Sequence, residues 1–423
     1  MFFYIVTHIL NQQCDLPDYP HVLMEEDSAL LLSMNNYGGQ QYLQCAMKQS
    51  PKLLQRAQLP NIVLDVVIDG EQFEVDFQNI SLLDITTNQT VVNLKSKSIY
   101  VMSFETHNTN ILFNFSWTLK QMTYPFGTDN GTGEINITGS DLFVNGLSFT
   151  KDLDCLGNIN YGISNVSFEP NFLNVTLAGG KSKLFAKIEE DLVVGLNELL
   201  LYVMGLHITE VIMKYFEILN DKQKNYQEYL KYPNIVKDDR FSSNVVAKLN
   251  QLVFMKSGYT FNLDNLSDQF IHAQMINALP VTRNNKQVEY TISKAALDNF
   301  LYIFHTYNDS YSNPSVFSVV EAPTMELSKN QVTLNLKVKI QDEEADLKLK
   351  GAPKLRTEND LTFLYFEFEL EPEYYEVISW VNEQIKDACY LIKNEVFSLN
   401  GFSVVIDTDN DCVKIVGDIA ACL

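Results

Sequence analysis

Basic residues are scarce in this sequence, which carries 31 lysines and arginines against 53 aspartates and glutamates and a formal net charge of −22. Nucleic-acid phosphates and anionic membrane surfaces are bound mainly through lysine and arginine side chains. The charge therefore argues against a nucleic-acid partner and against strong electrostatic docking on an anionic membrane. Its simplest consequence is solubility.

Cysteine is also scarce, with six residues that form no CxxC pair and no Cys/His cluster of zinc spacing: Cys14, Cys45, Cys155, Cys389, Cys412 and Cys422. They are too few for a disulfide scaffold, and we expect no structural metal site. One or two disulfides formed in an oxidising compartment are expected, with buried free thiols as the alternative.

Catalytic signatures are missing as well. The sequence has no GxSxG elbow, no HExxH helix, no glycine-rich phosphate loop and no EF-hand spacing. Its six histidines are scattered, and His207 lies among leucines, where a hydrogen-bonded core histidine is more usual than a catalytic base. We expect a protein that is not an enzyme and needs no cofactor or metal.

No uninterrupted apolar run reaches the roughly 18–20 residues that span a bilayer. The N-terminal stretch MFFYIVTHIL predicts a signal peptide and lead segment over residues 1–23, or else a buried terminal segment. Nine N-x-S/T triplets also favour a secreted or secretory-pathway protein. The predicted glycosylation sites are Asn79, Asn88, Asn114, Asn130, Asn136, Asn165, Asn174, Asn265 and Asn308.

What the sequence has in abundance is period-two alternation, which is typical of a sheet with one buried face. Residues 110–119 place large apolar side chains on one face of a predicted strand: Ile111, Phe113, Phe115, Trp117 and Leu119. The same pattern recurs over residues 71–77, 332–340 and 364–370. The acidic run at 341–351 is predicted as a solvated hairpin tip.

Four segments predict helices, and the shortest is ISKAALDNFLYIFHTY at 292–307. Residues 27–60 contain Gly38-Gly39 and Pro51, so we expect that helix to be kinked or split. Residues 184–219 are the longest candidate, and residues 373–399 predict a second long helix. Along the first long helix apolar residues recur every three to five positions, and the stripe predicted to face inward is Leu192, Leu196, Leu199 and Val203.

The length predicts two domains, because a single core rarely grows to this size. After the lead at 1–23, we expect an N-terminal domain at 24–222, a linker at 223–244 and a C-terminal domain at 245–423. Each half has alternating strands followed by a long helix, which indicates a duplicated architecture.

The order of elements carries a resemblance. KLLQRAQLPN and FEVDFQNISLLDI are followed by ILFNFSWTLK, then by ISNVSFEP and FLNVTLAGG before the long helix. VEYTISKAALDNFLYIF, MELSKNQVTLNLKVKIQ and NGFSVVIDTDNDCVKIVGDI follow in the second half. In this order the chain resembles the lipid-binding serum glycoproteins, which include bactericidal/permeability-increasing, lipopolysaccharide-binding and phospholipid and cholesteryl-ester transfer proteins. The likeness covers about residues 27–420, and no single motif is diagnostic.

The resemblance implies an α+β fold of two tandem barrel-like modules. In each, a strongly twisted antiparallel sheet wraps around a long helix, and a central sheet joins the arms into a boomerang. An apolar tunnel in each arm would hold the acyl chains of a phospholipid or similar lipid, exchanged at a membrane or lipid-particle surface. The expected lining, which could equally be plain core, is Phe73, Val75, Phe77, Phe113, Phe115, Leu192, Leu196, Leu199 and Val203.

The predicted function is therefore lipid binding or transfer by a secreted protein without catalysis. The alternatives are an endotoxin-binding innate-defence protein and an extracellular interaction protein that holds no lipid. Family members that bind endotoxin use basic residues at the tip of the first arm, whereas residues 124–134 here contain no lysine or arginine. The family's disulfide is left in doubt, because Cys155 matches its strand side but residues 184–219 contain no cysteine.

Overall fold

The structure is a computed structural model that describes residues 28–54, 60–151, 159–223, 228–229, 235–237, 241–262, 279–283, 286–307, 317–340, 342–358, 361–369, 372–387, 390–392 and 397–422. Within these ranges it combines helices with sheets whose strand pairings are antiparallel. The predicted α+β class is confirmed.

The segment 27–60 was wrongly predicted to be helical from its start. It begins with a strand, β1 (Leu30–Asn35), and continues as a helix, α1 (Asn36–Leu54), that runs through both glycines and Pro51. β1 lies between two antiparallel neighbours, so its apolar run is buried without alternation and resembles a helix start. The side-chain oxygen of Asn35 then caps α1 by accepting the Gly38 N–H at 2.8 Å.

The first half of the chain is built on one seven-stranded sheet. Its strands are β2 (Ile62–Ile68), β3 (Glu71–Leu94), β4 (Met102–Gln121), β5 (Thr128–Lys151), β6 (Ile159–Ile163), β7 (Val166–Glu169) and β8 (Phe172–Ala178). The order is β2-β3-β4-β5-β6, with β7 and β8 also paired to β5. The alternation predicted for residues 110–119 is confirmed on β4, where the five apolar side chains are at most 4% exposed.

A 41-residue helix, α2 (Lys183–Gln223), follows this sheet. The hydroxyl oxygen of Ser182 caps it by accepting the Phe185 N–H at 2.9 Å. α2 contacts β2 at one edge of the sheet and β6, β7 and β8 at the other. Because both edges meet the same helix, the sheet curls around α2.

Two further sheets follow α2. A small one has the order β13-β10-β9 and is made of β9 (Glu228–Tyr229), β10 (Ile235–Lys237) and β13 (Thr260–Asn262). A six-stranded central sheet adds β11 (Val246–Lys248), β12 (Gln251–Lys256), β14 (Val288–Ser293), β21 (Phe397–Asp407) and β22 (Cys412–Cys422) to β1. Its order is β11-β12-β1-β14-β22-β21, so the first strand of the described residues lies inside a sheet of later strands.

The second half has its own six-stranded sheet and shorter helices. These elements are α3 (Lys294–Tyr307), β15 (Ser318–Val319), β16 (Thr324–Ser328), β17 (Gln331–Ile340), β18 (Glu343–Glu358), β19 (Leu361–Phe368), a 3-10 turn (Pro372–Tyr374), α4 (Tyr375–Asp387) and β20 (Tyr390–Ile392). The order is β15-β17-β18-β19-β20, with β16 paired to β17.

Two predictions for this half were wrong. The helix predicted over residues 373–399 is confined to α4, because Tyr390–Ile392 pairs with β19 and the strand from Phe397 pairs with β22. The acidic run at 341–351 is mostly strand, since β18 begins at Glu343 and pairs with β17. Backbone pairing outweighs the local helical pattern in the first case and the polar composition in the second.

An apolar segment of membrane-spanning length in α2 was not predicted from the sequence. By length and composition alone its segment Ile188–Lys214 could cross a membrane, with a mean hydropathy of 1.6 over an 18-residue window. Part of that window is buried, and the core helix of a soluble protein has the same properties, so the indication is weak. This segment was not recognised in the sequence because charged residues interrupt it, so it contains no continuous apolar run of that length.

Candidate functional site

The interior between α2 and the curled first sheet is lined by large apolar side chains. Seven of the nine residues predicted to line a lipid site lie in it, each at most 3% exposed: Phe73, Val75, Phe77, Phe113, Phe115, Leu192 and Leu196. They belong to one continuous core cluster. The sheet and the helix therefore bring these residues together, as the alternation and the helical spacing predicted.

The other two predicted residues, Leu199 and Val203, do not lie on the buried face of α2. Leu199 is 40% exposed and Val203 is half-buried. The buried stripe instead follows four-residue spacing through Ile188, Leu192, Leu196, Leu200, Met204 and Ile208. Because α2 is apolar around much of its circumference, its sequence shows too little contrast to tell the two stripes apart.

Two glycines on β5 make room for two aromatic rings on β4. Phe115 pairs with Gly133 and Trp117 pairs with Gly131. A Cβ on either glycine would lie 2.5–2.8 Å from the facing ring, and nearer still to a backbone oxygen of β8. The rings therefore rest against bare backbone, and the indole N–H of Trp117 donates to the Thr132 carbonyl at 3.0 Å.

Trp117 and Phe185 belong to this interior although they were missed as site residues. Their rings stack at 4.9 Å, and Phe77 meets Phe115 edge-on at 4.9 Å. Trp117 shares a face with Phe113 and Phe115, so the alternation could have identified it. Phe185 could not be identified, because its position depends on how α2 leaves β8.

Two polar side chains fix α2 to opposite edges of the sheet. Asn197 Oδ1 accepts the Val175 N–H of β8 at 2.8 Å. His207 Nε2 is 3.1 Å from the carbonyl oxygen of Pro60, just before β2, and its Nδ1 is 3.6 Å from Glu210. His207 is thus a hydrogen-bonded core histidine, as its sequence context indicated.

The geometry can be compared with known proteins. No family model and no curated protein sequence matches the chain. Among solved structures, the crystal structure of lipopolysaccharide binding protein matches with a TM-score of 0.50 and 12% identity, covering 93% of this chain and 99% of that chain. The chain is similar in fold to lipopolysaccharide binding protein. P47 from Clostridium botulinum A2 also matches, at 12% identity over 94% of this chain and 98% of that chain, with a TM-score of 0.23.

At such low identity the likeness to lipopolysaccharide binding protein shows the fold alone. It confirms at that level the resemblance inferred from the order of elements.

A second apolar stripe lies on the outward side of α2. Leu199, Tyr202, Leu206 and Met213 are exposed there at spacings of three, four and seven residues. Most surface helices show polar residues on this side. α2 is therefore apolar both toward the sheet and away from it.

The outward face of the first sheet is polar. It holds a cavity of about 500 Å³ lined mainly by hydroxyl and amide side chains, including Asn79 and Asn114. Of the predicted glycosylation sites, Asn79, Asn88, Asn130, Asn136, Asn165 and Asn174 are exposed, Asn114 is half-buried, and Asn265 and Asn308 lie outside the described residues. This face is chemically unsuited to acyl chains.

The described cysteines and possible metal-ligating side chains have environments that favour a structural role over a reactive one. Burial raises the pKa of the Cys412 thiol to about 12, so the thiolate is scarce at neutral pH. Cys45 is disulfide-bonded, whereas Cys14, Cys155 and Cys389 lie outside the described residues. Across the described part of the chain, no group of three or more His, Cys, Asp or Glu side chains could hold a metal ion.

Proposed function

We propose that this protein is a secreted, non-catalytic lipid carrier that holds acyl chains between α2 and the first sheet. The observation that carries the proposal is a helix, apolar on two sides, that spans both edges of a sheet lined with aromatic rings. Each CH₂ group removed from water contributes about 0.8 kcal/mol, so an apolar interior alone can hold an acyl chain. The polar headgroup of the lipid would remain in water, outside the apolar interior.

Entry of a chain requires α2 to move, because the interior side chains are packed against one another. Two features favour such movement. The apolar outward stripe offers the sheet a second set of apolar side chains when α2 rolls, and the contacts of Asn197 and His207 with the sheet edges are single hydrogen bonds. Their net contribution is about 0.5–1.5 kcal/mol each, which is small beside the burial of an acyl chain.

The proposed cargo is a neutral or zwitterionic lipid such as a phospholipid. Lipopolysaccharide binding protein, by its name, binds lipopolysaccharide, which is anionic. The net charge of −22 here opposes the approach of such a ligand. We therefore favour phospholipid-like cargo over the endotoxin-binding alternative.

Secretion is part of the proposal. Six of the nine acceptor asparagines are exposed on the described structure, and glycosylation requires accessible sites. Cys45 is disulfide-bonded, and such bonds persist in oxidising compartments. Mass spectrometry of protein secreted from eukaryotic cells, before and after glycosidase treatment, would test this.

The carrier function can be tested by locking α2 to the sheet. A Cβ on Gly195 would lie 3.4 Å from the Val66 side chain of β2, so Gly195→Cys with Val66→Cys should allow a disulfide. We expect uptake of a fluorescent phosphatidylcholine to stop under oxidising conditions and to return on mild reduction. The reduced form of the same variant is the control.

Two outcomes count against the proposal. If organic extraction of the purified protein releases no lipid and the fluorescent lipid does not partition into it, the interior is plain core and the lipid-free interaction protein is favoured. If uptake proceeds equally in the locked and reduced forms, lipid does not enter beside β2.

A further inference from the structure

The cavity of about 500 Å³ on the outward face of the first sheet is a groove that crosses four strands. Its main row of side chains consists of Ser81 of β3, Asn114 of β4, Glu134 of β5 and Thr176 of β8, each paired with the next. Because paired residues on one face of a sheet have their side chains side by side, these hydroxyl, amide and carboxyl groups form one continuous polar row. We call this cavity the polar groove.

A β-bulge shapes one wall of the polar groove. Between Gln78 and Ser81, β3 contains one residue more than the stretch of β4 that it faces. Asn79 lies in this bulge with a φ of 53°, a conformation that asparagine adopts more readily than most residues. Bulges bend a strand and redirect a side chain, and here the side chain of Asn79 lines the groove.

Most of the polar side chains in the groove have no partner within the protein. In the part of the chain that the structure describes, no side-chain hydrogen bond or ion pair is made by Asn79, Ser116, Thr132, Glu134 or Thr176. Their donors and acceptors therefore face water in one concave site, where a polar ligand would find them already positioned.

Other polar side chains on the same face of the sheet are paired with one another. Lys120 Nζ lies 2.6 Å from Glu74 Oε1, and the amide of Gln78 donates to the carboxylate of Asp76. The groove thus differs from these parts of the face in two respects, since it is concave and its polar groups are unpaired.

The chemistry of the lining selects the class of ligand. The groove contains no lysine or arginine and a single carboxylate, that of Glu134, so an anionic ligand would find no counter-charge. Hydroxyl and amide groups both donate and accept hydrogen bonds, as the hydroxyl groups of a sugar do. An extended peptide would need a free sheet edge or side-chain pockets, whereas β3, β4 and β5 have neighbours on both sides.

We propose that the polar groove binds a neutral saccharide. Its volume lies within the range of sites for small ligands. The same sugar chemistry has two sources, which are a separate oligosaccharide and an N-linked glycan on Asn79 or Asn114 at the groove itself. The inference goes beyond the carrier function, because the groove and the apolar interior lie on opposite faces of the sheet.

The test begins with an array of neutral oligosaccharides built from mannose, glucose, galactose and N-acetylglucosamine, followed by calorimetric titration of those that bind. The first variant is Ala178→Tyr. Ala178 is exposed on β8, lines the groove opposite Thr132 and belongs to no N-x-S/T triplet. A tyrosine ring there would fill the groove without removing any polar group, so binding should be lost.

The second variant, Glu134→Leu, removes the only carboxylate of the groove and also leaves every N-x-S/T triplet intact. We expect the affinity to fall about tenfold or more, which is typical for the loss of a hydrogen bond to a charged group. The matched control is Glu169→Leu, which removes an exposed glutamate of β7 outside the groove and should bind as the unsubstituted protein does. Thermal unfolding establishes that all three variants are folded.

Binding is measured before and after enzymatic removal of N-linked glycans, and saturable binding by either form supports the inference. Binding only after removal would identify the chain's own glycan as the occupant. The inference is overturned if neither form binds a neutral oligosaccharide, if only sialylated saccharides or peptides on the array bind, or if both groove variants bind as well as Glu169→Leu. Lipid extracted from Ala178→Tyr should match that from the unsubstituted protein, so a failure of the carrier function would be seen separately.

Discussion

In both halves of the chain an asparagine side chain fixes a helix to a sheet, but the helices differ in length. In the first half Asn197 of α2 accepts the Val175 N–H, and in the second Asn382 of α4 both accepts from and donates to the backbone of Phe368. α2 has 41 residues and meets both edges of its sheet. The described helices of the second half, α3 and α4, have 14 and 13.

The comparison indicates that alternating strands alone do not enclose an apolar interior. A helix must reach both edges, and in the described structure α2 does so. The proposed carrier function is therefore assigned to the first half, although the family resemblance implied a lipid site in each half.

The largest effect should come from truncating one core residue in each half. Leu196→Ala and Ile378→Ala both remove fully buried side chains, so each should lower the free energy of unfolding by about 2–5 kcal/mol. Only Leu196→Ala should also reduce the lipid extracted per protein. Denaturant titration and lipid mass spectrometry measure the two quantities, and equal lipid loss in both variants would break the comparison.

Removing the asparagine anchors should have the next largest effect. Asn197→Ala leaves the Val175 N–H without its acceptor, and Asn382→Ala does the same to Phe368, at a cost of about 1–3 kcal/mol each. Uptake of fluorescent phosphatidylcholine should become faster in Asn197→Ala alone, because that anchor opposes movement of α2. Stopped-flow fluorescence would reveal this, and unchanged uptake would mean that the anchor is not part of entry.

Gly205→Ala should have a smaller effect in the opposite direction, with higher stability and slower lipid uptake. A Cβ there would lie 4.0 Å from the Phe168 carbonyl oxygen, an ordinary contact, so alanine should stabilise α2 by about 0.5–1 kcal/mol. A stiffer helix should take up lipid more slowly. Thermal unfolding and uptake kinetics would be compared with Gly195→Ala, which faces the other sheet edge. Greater stability with faster uptake would contradict the model of helix movement.

The smallest effect concerns the central sheet that both halves share. Desolvation raises the pKa of Glu289 above its ordinary value of 4.5, against the opposing influence of Lys414. The folded state therefore binds this proton more tightly than the unfolded state, so stability falls as the pH rises from 4.5 through the raised pKa. Glu289→Gln should remove that loss, and its advantage over the parent should grow with pH.

Denaturant titrations from pH 4 to 8 would measure this. A constant difference across the range would show that the Glu289 carboxyl does not titrate differently on folding. A shift confined to one of two unfolding transitions would show that the halves unfold separately despite their shared sheet.

The features that could be predicted from the sequence are those in which apolar and polar residues alternate clearly between the two faces of an element. On β4 one face is buried and the other is not, so Phe113 and Phe115 could be assigned inward from spacing alone. β1 could not be recognised, because both of its faces are buried. Leu199 was placed inward for a related reason, since α2 offers apolar residues on two sides.

Features that depend on distant partners were also out of reach. The strand at Tyr390–Ile392 is fixed by pairing with β19, which no local pattern records. The row of exposed apolar side chains formed by Val67, Met122 and Tyr124 was likewise not predicted, because it crosses strands whose register no local pattern records.

The paired glycines and rings of β4 and β5 bear on how relatives of this chain could be found. Gly131 and Gly133 stand two residues apart, as do Phe115 and Trp117, and only one alignment of the strands gives each ring an empty position. A slip of two residues would set one ring against Ile135 or Asp129 instead. Four side-chain choices thus encode the register of the two strands. Phe-x-Trp followed by Gly-x-Gly, 16 positions from Phe115 to Gly131, is a signature that could mark this fold where overall sequence similarity has faded.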